Sequence, residues 1–364
     1  MRKIFTLLFF FSFIFSRILF SQDSTQNSIL TFSGYVDAFG AYYTDSAGIG
    51  NYQKLSSVSA RSESIGLNVA QLSAKYSSDK VRGIITLHFG DIPKAAWSEK
   101  FSFIQEATVG IRLSRNLWVD GGFFKSHLGT EGLFPRENIT SSISVPTFFE
   151  PNYEAGFRLN YLPSDKVTLN IYALNGFNLY EDNNKKKSGG ILFNYAFSDK
   201  INIGYSNYLG DDTPEGDSIS HFRFFNNIFF NFEKNKVKIV TGVDFCVQDN
   251  SDITDPKKSA SVLGGLFAIR YTAAKKFGVY SRAEVYSDPD GVLSGVFLDQ
   301  DNVPTGLKLW GVTLGIEYKP TENSYVRLEG RNLKTADSQK IFRWDNENKS
   351  SRLEALLNMG LTFP

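Results

Sequence analysis

From residue 28 onward the chain reads as short segments in which apolar residues alternate with polar or small ones. That is the two-residue period of a strand with two unlike faces. In 309–319, Trp310, Val312, Leu314, Ile316 and Tyr318 share one face, opposite Gly311, Thr313, Gly315, Glu317 and Lys319. The last segment sets Leu353, Ala355, Leu357, Met359, Leu361 and Phe363 against Arg352, Glu354, Asn358, Gly360 and Thr362, and segments 153–161 and 237–248 follow suit. The pattern predicts sixteen strands, near 30–43, 62–76, 80–90, 102–113, 116–125, 152–162, 165–175, 188–197, 200–209, 219–232, 236–248, 259–272, 275–287, 307–319, 323–333 and 351–363.

The connections alternate in length. Short turns fall at Ser77 to Asp79, Ser114 to Arg115, Pro163 to Ser164, Ser198 to Asp199, Glu233 to Asn235, Ala273 to Ala274 and Pro320 to Glu322. Between them lie polar loops such as 44–61, 126–151, 210–218, 288–306 and 334–350. Short turns at one end and long loops at the other are the layout of an all-β, antiparallel transmembrane β-barrel with periplasmic turns and extracellular loops. A weak repeat accompanies the turns, which read YSSDKV, LPSDKV, FSDKI, FEKNKV, TAAKKF and KPTENS, with Tyr76, Tyr161, Phe197, Phe232, Tyr271 or Tyr318 beside them. In a barrel these rings form an aromatic girdle at one membrane interface.

A soluble sandwich also alternates, so the content of the polar face decides. The charged residues in phase with it are Arg82, Glu106, Arg112, Asp120, Glu154, Arg158, Arg223, Lys238, Asp244, Arg270, Arg282, Glu284, Glu317, Arg327, Glu329 and Arg331, and all of these except Arg223 and Arg270 are candidate pore-lining residues. A dry core could not hold so many charges, each costing several kcal/mol without a partner. They call for a wet interior, and a sixteen-stranded barrel is wide enough to enclose one. Hydrocarbon outside makes closure obligatory, because an open sheet edge would leave backbone groups unpaired.

Composition narrows the class. The 364 residues carry 39 Lys+Arg against 38 Asp+Glu, so no basic field for nucleic acid exists. One cysteine, Cys246, excludes a disulfide framework and a Cys-based zinc site. The start, Arg2 and Lys3 followed by the apolar run Ile4 to Phe15 and the small residue Ser21, reads as a cleaved export signal over 1–21. A short periplasmic segment, 22–29, and a barrel over 30–364 complete the expected organisation.

Candidate chemistry is sparse. His88, His127 and His221 are scattered, no GxSxG elbow occurs, and nothing resembles a phosphate loop, so no enzyme activity, metal or cofactor is expected. The most informative loop is 126–151, which runs through Pro135, Arg136, Glu137 and Asn138 to the cluster Thr140 to Ser142 and returns through Pro146 and Pro151. One reading folds it into the lumen, with Lys125, His127, Glu131, Arg136 and Glu137 as candidate constriction residues exposed to passing solute. The other leaves it on the surface.

The stretch GGFFKSHLGTE (Gly121 to Glu131), followed by Asn138, Ser141, Pro151 and Gly156-Phe157-Arg158, resembles the signature region of the OmpL-like β-barrel porins of Gram-negative bacteria, the second family of that name. The resemblance extends from about residue 30 to the C-terminus and implies an outer-membrane diffusion channel for small hydrophilic solutes. It carries over no catalytic residue. Outer-membrane barrels usually end in an aromatic residue, whereas here Pro364 follows Phe363.

The expectation is therefore a porin whose partners are outer-membrane lipid, small polar solutes and, during biogenesis, the barrel-assembly machinery. A homo-oligomer is compatible with it. The alternative is a non-conducting barrel that serves as a binding or structural surface. Basic residues only slightly outnumber acidic ones on the polar faces, so no strong ion selectivity is expected.

Overall fold

The computed structural model describes residues 28–47, 51–213, 215–216 and 218–364. The expected export signal over 1–21 and most of the segment 22–29 lie outside the described residues. Sixteen strands form one closed barrel: β1 Ile29–Tyr43, β2 Ser64–Ser77, β3 Val81–Phe89, β4 Ile104–Ser114, β5 Leu117–Lys125, β6 Tyr153–Ser164, β7 Val167–Leu174, β8 Ser188–Ser198, β9 Ile201–Asp211, β10 Phe222–Lys234, β11 Val237–Gln248, β12 Ala260–Ala274, β13 Phe277–Ser287, β14 Lys308–Tyr318, β15 Ser324–Thr335 and β16 Ser351–Phe363. Each pairs antiparallel with its neighbours in the chain. Closure comes from β1 against β16, in register from Gly34 opposite Phe363 to Tyr43 opposite Glu354. Gly34 leaves room for the Phe363 ring at the seam; a side chain there would make that ring turn aside.

The sequence pattern places all of these strands, with ends displaced by a few residues. The tenth runs Phe222–Lys234 where 219–232 is expected. Ladder pairing is a backbone property and continues through polar residues such as Lys234, paired with Val237, where the apolar alternation has faded.

The two faces are inverted relative to a globular protein. Leu314 is 63% exposed on the outside, whereas its neighbour Thr313 is 0% exposed on the inside. Trp310, Val243 and Leu357 also point outward. At the short-turn end Tyr76, Tyr161, Phe197, Tyr271 and Tyr318 are exposed, as a girdle requires, and Phe232 is half-buried.

The lumen is not empty. Into it fold the β3–β4 connection, with helix α1 Asp91–Ala96 and a 3-10 turn Glu99–Phe101, and the β5–β6 connection, with a 3-10 turn Pro135–Glu137 and helix α2 Val145–Phe149. These elements are too short to leave a helical period in the sequence. Phe134 and Ile143 of the β5–β6 connection bury against Tyr35, Val69, Trp97 and Tyr153, while Leu128 and Val145 bury in a second cluster with Tyr172, Tyr208, Phe225 and Leu333. The apolar core of this molecule therefore lies between infolded loops and the inner wall. Loop 44–61, read as a polar outer loop, is corrected in the same sense: Leu55, Val58 and Ala60 are buried. Small extracellular hairpins, Phe297–Leu298 with Pro304–Thr305 and Phe342–Trp344 with Glu347–Lys349, occupy two of the remaining loops.

Facing predicts an asymmetric response to charge. Leu314→Arg is expected to cost about 2 to 4 kcal/mol as a guanidinium enters mid-membrane lipid. Asn194→Arg, on the half-buried inner face of β8, is expected to cost far less. Thr313→Arg is not the tolerated inner control that sequence alternation suggests. The Thr313 hydroxyl sits 3.5 Å from Arg282 Nη2 under the infolded loop, so a second guanidinium there meets a like charge. Denaturant unfolding of the refolded barrel in lipid measures all three; equal costs for Leu314→Arg and Asn194→Arg would contradict the facing.

Candidate pore constriction

Alternation on β13 to β16 sends a row of charges inward. Arg331 Nε and Nη2 reach the Glu284 carboxylate at 3.0 and 2.9 Å, Arg331 Nη1 lies 3.6 Å from Glu354, and Arg352 Nη2 lies 2.6 Å from the same carboxylate. Arg282 joins at 3.3 Å from Glu284. All five side chains are buried. Opposite signs alternate along the row, and the cations at its two ends are met by Glu131 at 3.1 Å and Asp45 at 3.6 Å.

The same wall holds the loop. Arg282 donates to Glu131 Oε1 at 3.1 Å, Thr140 Oγ1 at 2.7 Å and the Ser142 carbonyl at 2.6 Å. Arg327, paired with Glu317 at 2.8 Å, donates to the carbonyls of Pro135, Asn138 and Thr140 at 2.8, 3.1 and 2.9 Å. In the other direction Glu329 accepts from the Ser141 and Ser142 amides at 2.7 and 3.1 Å, and Glu284 accepts from the Val145 amide at 2.6 Å. The Ser142 hydroxyl adds a further bond to Glu329. A loop without ladder partners must satisfy its backbone groups somewhere. Here wall guanidiniums take its carbonyls and wall carboxylates take its amides. Residues 126–152 are thus docked inside the barrel, bridging from β5 and β6 to the β13–β15 wall.

The loop's root is held by His127, buried and stacked on Tyr172 with centroids 4.1 Å apart. Its Nδ1 lies 2.8 Å from Glu154 and its Nε2 lies 2.7 Å from the Asn207 carbonyl. Both partners are acceptors, so the arrangement suits an imidazolium that donates from both nitrogens. Burial by itself lowers the imidazole, and the Glu154 carboxylate outweighs that and holds it above its ordinary value. At the loop's return Glu150 meets the wall carboxylate Asp244. Burial first, then the charges of Asp244 and Glu131, push the Glu150 carboxyl well above the usual carboxylate range, so it bonds to Asp244 as a proton donor.

The remaining sequence-predicted residues are spread over the lumen. Lys125 pairs with Glu137 at 2.5 Å, and both are partly open, while Arg136 is exposed and stacks its guanidinium 4.4 Å from the Tyr35 ring. Glu131, expected to meet solute, is instead turned into the wall against Arg282. Glu154, Asp244, Arg282, Glu284, Glu317, Arg327, Glu329 and Arg331 are likewise covered by the loop or by one another rather than open to passing solute. Nearer the short turns, Arg82 and Arg158 converge on Asp120 at 2.6 and 2.9 Å, Glu106 is half-buried, and Arg112 and Lys238 have no ion-pair partner within 4.0 Å among the described residues.

Sequence reading misses the infolding of the β1–β2 and β3–β4 connections, and with the first its anchors. A β-bulge at Asn68, between Val69 and Leu67 in the β1–β2 ladder, turns that side chain inward. Its Oδ1 accepts from the Ser59 amide at 2.6 Å, and its Nδ2 donates to Asp37 at 2.6 Å. The run Ser56-Ser57-Val58-Ser59 gives no period to read, and a bulge leaves no mark in the alternation beyond one slipped residue.

Beside the docked loop a cavity of about 390 Å³ remains, lined on one side by Lys125, Thr130, Gly132 and Glu137 and on the other by Leu192 of β8 and Phe229 of β10. It is partly open.

Comparison with known proteins places this architecture. A family model described as "Putative beta-barrel porin-2, OmpL-like" matches residues 29–363. The outer membrane channel DcaP of Acinetobacter baumannii superimposes with a TM-score of 0.62 at 13% identity, over 94% of this chain and 99% of that one. Salmonella typhi OmpF, in complex with daunomycin, gives 0.59 at 12% identity over 92% and 97%. In-vitro folded OmpT, an outer membrane protein of Vibrio cholerae, gives 0.55 at 10% identity over 94% and 99%. At these identities the structural likeness is one of fold. The comparison with curated proteins finds no match.

Removing Arg282 leaves Glu131 and Glu284 short of a counter-charge and leaves the Ser142 carbonyl with only the Thr140 hydroxyl as donor. Arg282→Ala is expected to destabilise the barrel by about 3 to 5 kcal/mol, read by denaturant unfolding. Loop docking also depends on pH. His127 and Glu150 both take up protons more readily in the folded state, so each contributes most below its ordinary value and loses that contribution as pH rises through its raised one. The thermal midpoint in detergent is expected to fall from the carboxylate range upward through the imidazole range. Glu150→Gln keeps a donor toward Asp244 and is expected to flatten the acid part of that slope; an unchanged slope would refute the protonated clamp.

Proposed function

This chain belongs to the OmpL-like β-barrel porin family of the Gram-negative outer membrane, and from that premise we propose that it is a passive diffusion channel for small hydrophilic solutes or ions. The observation that carries the reading is the docking of loop 126–152 across the lumen with a partly open cavity left beside it. It is bound most heavily to the β13–β15 wall, touches β9 and β10 through His127 and Thr130, and leaves a partly open cavity bordered by Leu192 of β8 and Phe229 of β10. A solute on that path meets Lys125, Glu137 and Thr130 on the loop and Leu192 and Phe229 on the wall. The loop is the constriction, and its width is set by how firmly the wall holds it.

Transport is passive on this reading: wall charges order water and solute while concentration supplies the drive. Outer-membrane lipid surrounds the exposed girdle. Export through residues 1–21, insertion by the barrel-assembly machinery through a last strand ending at Phe363, and association of copies of the chain belong to the same proposal. The second reading, a non-conducting barrel with a surface role, has its own support in the buried clusters that join three infolded connections across the lumen.

Planar-bilayer recording of refolded protein separates the two. The channel reading expects discrete conductance steps from the unmodified protein. Glu329→Ala, which removes the acceptor of the Ser141 and Ser142 amides, is expected to raise the conductance and make it noisier. A silent unmodified protein whose Glu329→Ala variant conducts would favour the sealed barrel.

A further inference from the structure

Burial sorts the lumen charges, and the side chains left within reach of solute on the short-turn side of the loop are mostly basic. On one wall Arg82 and Arg112 both lie over the Trp118 ring, 4.5 and 4.9 Å from its centroid, and Arg158 stands over Phe124 at 5.1 Å. Arg112 is exposed, and Arg82 and Arg158 are about a quarter open at 26% and 24%. The carboxylate between them, Asp120, is only 2% open: the guanidiniums lie in front of it. Across the barrel Lys238 and Arg270 are paired on adjacent strands. The carboxylate paired with Arg270, Glu317, is 4% open and is shared with Arg327.

The two groups face each other. Arg82 on β3 and Arg112 on β4 stand eight strands from Lys238 on β11 and Arg270 on β12, half of the sixteen-strand ring. All four lie close to the short turns. Besides Asp120 and Glu317, half-buried Glu233 sits opposite Lys238 on the neighbouring strand, and half-buried Glu106 lies near Asp120 and Arg158.

We propose that this vestibule selects small anions, with Arg112 and Lys238, the two basic groups lacking an ion pair, as the facing contacts that attract them. The inference rests on the channel reading and adds a solute class to it. A guanidinium held flat on an indole keeps its N–H edge free for carboxylate or phosphate oxygens. Facing positive walls in a narrow, water-filled space raise the local anion concentration and exclude cations. The chain as a whole is nearly neutral, with 39 Lys+Arg against 38 Asp+Glu, so the sign seen here comes from which charges stay within reach of solute.

The test is the reversal potential of refolded protein in a planar bilayer under a KCl gradient. The expected result is a potential on the chloride side, with a chloride-to-potassium permeability ratio above one. Arg112→Gln with Lys238→Gln removes no ion pair and is expected to at least halve that ratio with conductance retained. A unmodified-protein potential at zero or on the potassium side would overturn the inference while leaving the channel intact. An unchanged ratio in the double variant would overturn the assignment to these side chains. Absence of any conductance would instead overturn the channel reading and the inference with it.

Discussion

Everything in this structure follows from the requirement that no backbone N–H or C=O be left unpaired in hydrocarbon. A sheet of short strands can meet it only by closing, and the chain closes through the pairing of β1 with β16, where Gly34 makes room for the Phe363 ring. Closure fixes the facing of every side chain at once, because the period of a strand is two. Leu314 must then meet lipid and Thr313 must then meet the lumen. The apolar residues that would form a core elsewhere are spent on the outer surface, so the interior has to be organised by other means.

Those means are ionic. Water alone would leave a sixteen-stranded bore open, but the wall carries guanidinium and carboxylate groups in alternation, and an irregular loop carries unpaired amides and carbonyls. Each needs what the other has. Arg282 and Arg327 bind carbonyls, and Glu284 and Glu329 bind amides. Breaking one such contact strands a buried partner, which is why the docked arrangement resists partial loosening more than a greasy contact of the same size would. The apolar side chains of the loop, Phe134, Ile143 and Val145, then fill space that the charges have already enclosed.

The fold was legible in the sequence because the closed ladder imposes its period on every strand and its short turns on alternate connections. The occupancy of the lumen was legible only in part. The loop 126–151 stood out because Pro135, Pro146 and Pro151 bracket a small-residue cluster, and those features suit a segment that folds back on itself. Nothing in the alternation says that Glu131 turns toward Arg282 or that Asp244 meets Glu150, since both contacts join segments more than ninety residues apart, a distance that no local pattern spans. The infolding of 44–61 was hidden for a different reason: its buried residues are single apolar side chains between serines, and what holds them is the Asn68 bulge.

Burial also changes what charge composition means. Counting residues on the inward faces gives near balance, and a balanced list suggests an indifferent pore. The list omits depth. Carboxylates such as Glu284, Glu329 and Glu354 are consumed in holding the loop and the wall together, and a group wrapped by donors presents little field to the lumen. Guanidiniums are longer, always charged and able to lie flat on aromatic rings while keeping an edge in water. Near the short turns the carboxylate lies behind and the cations in front, as Asp120 does behind Arg82 and Arg158, whereas under the loop both signs are buried alike. A pore assembled this way shows passing ions a sign that its overall charge does not have.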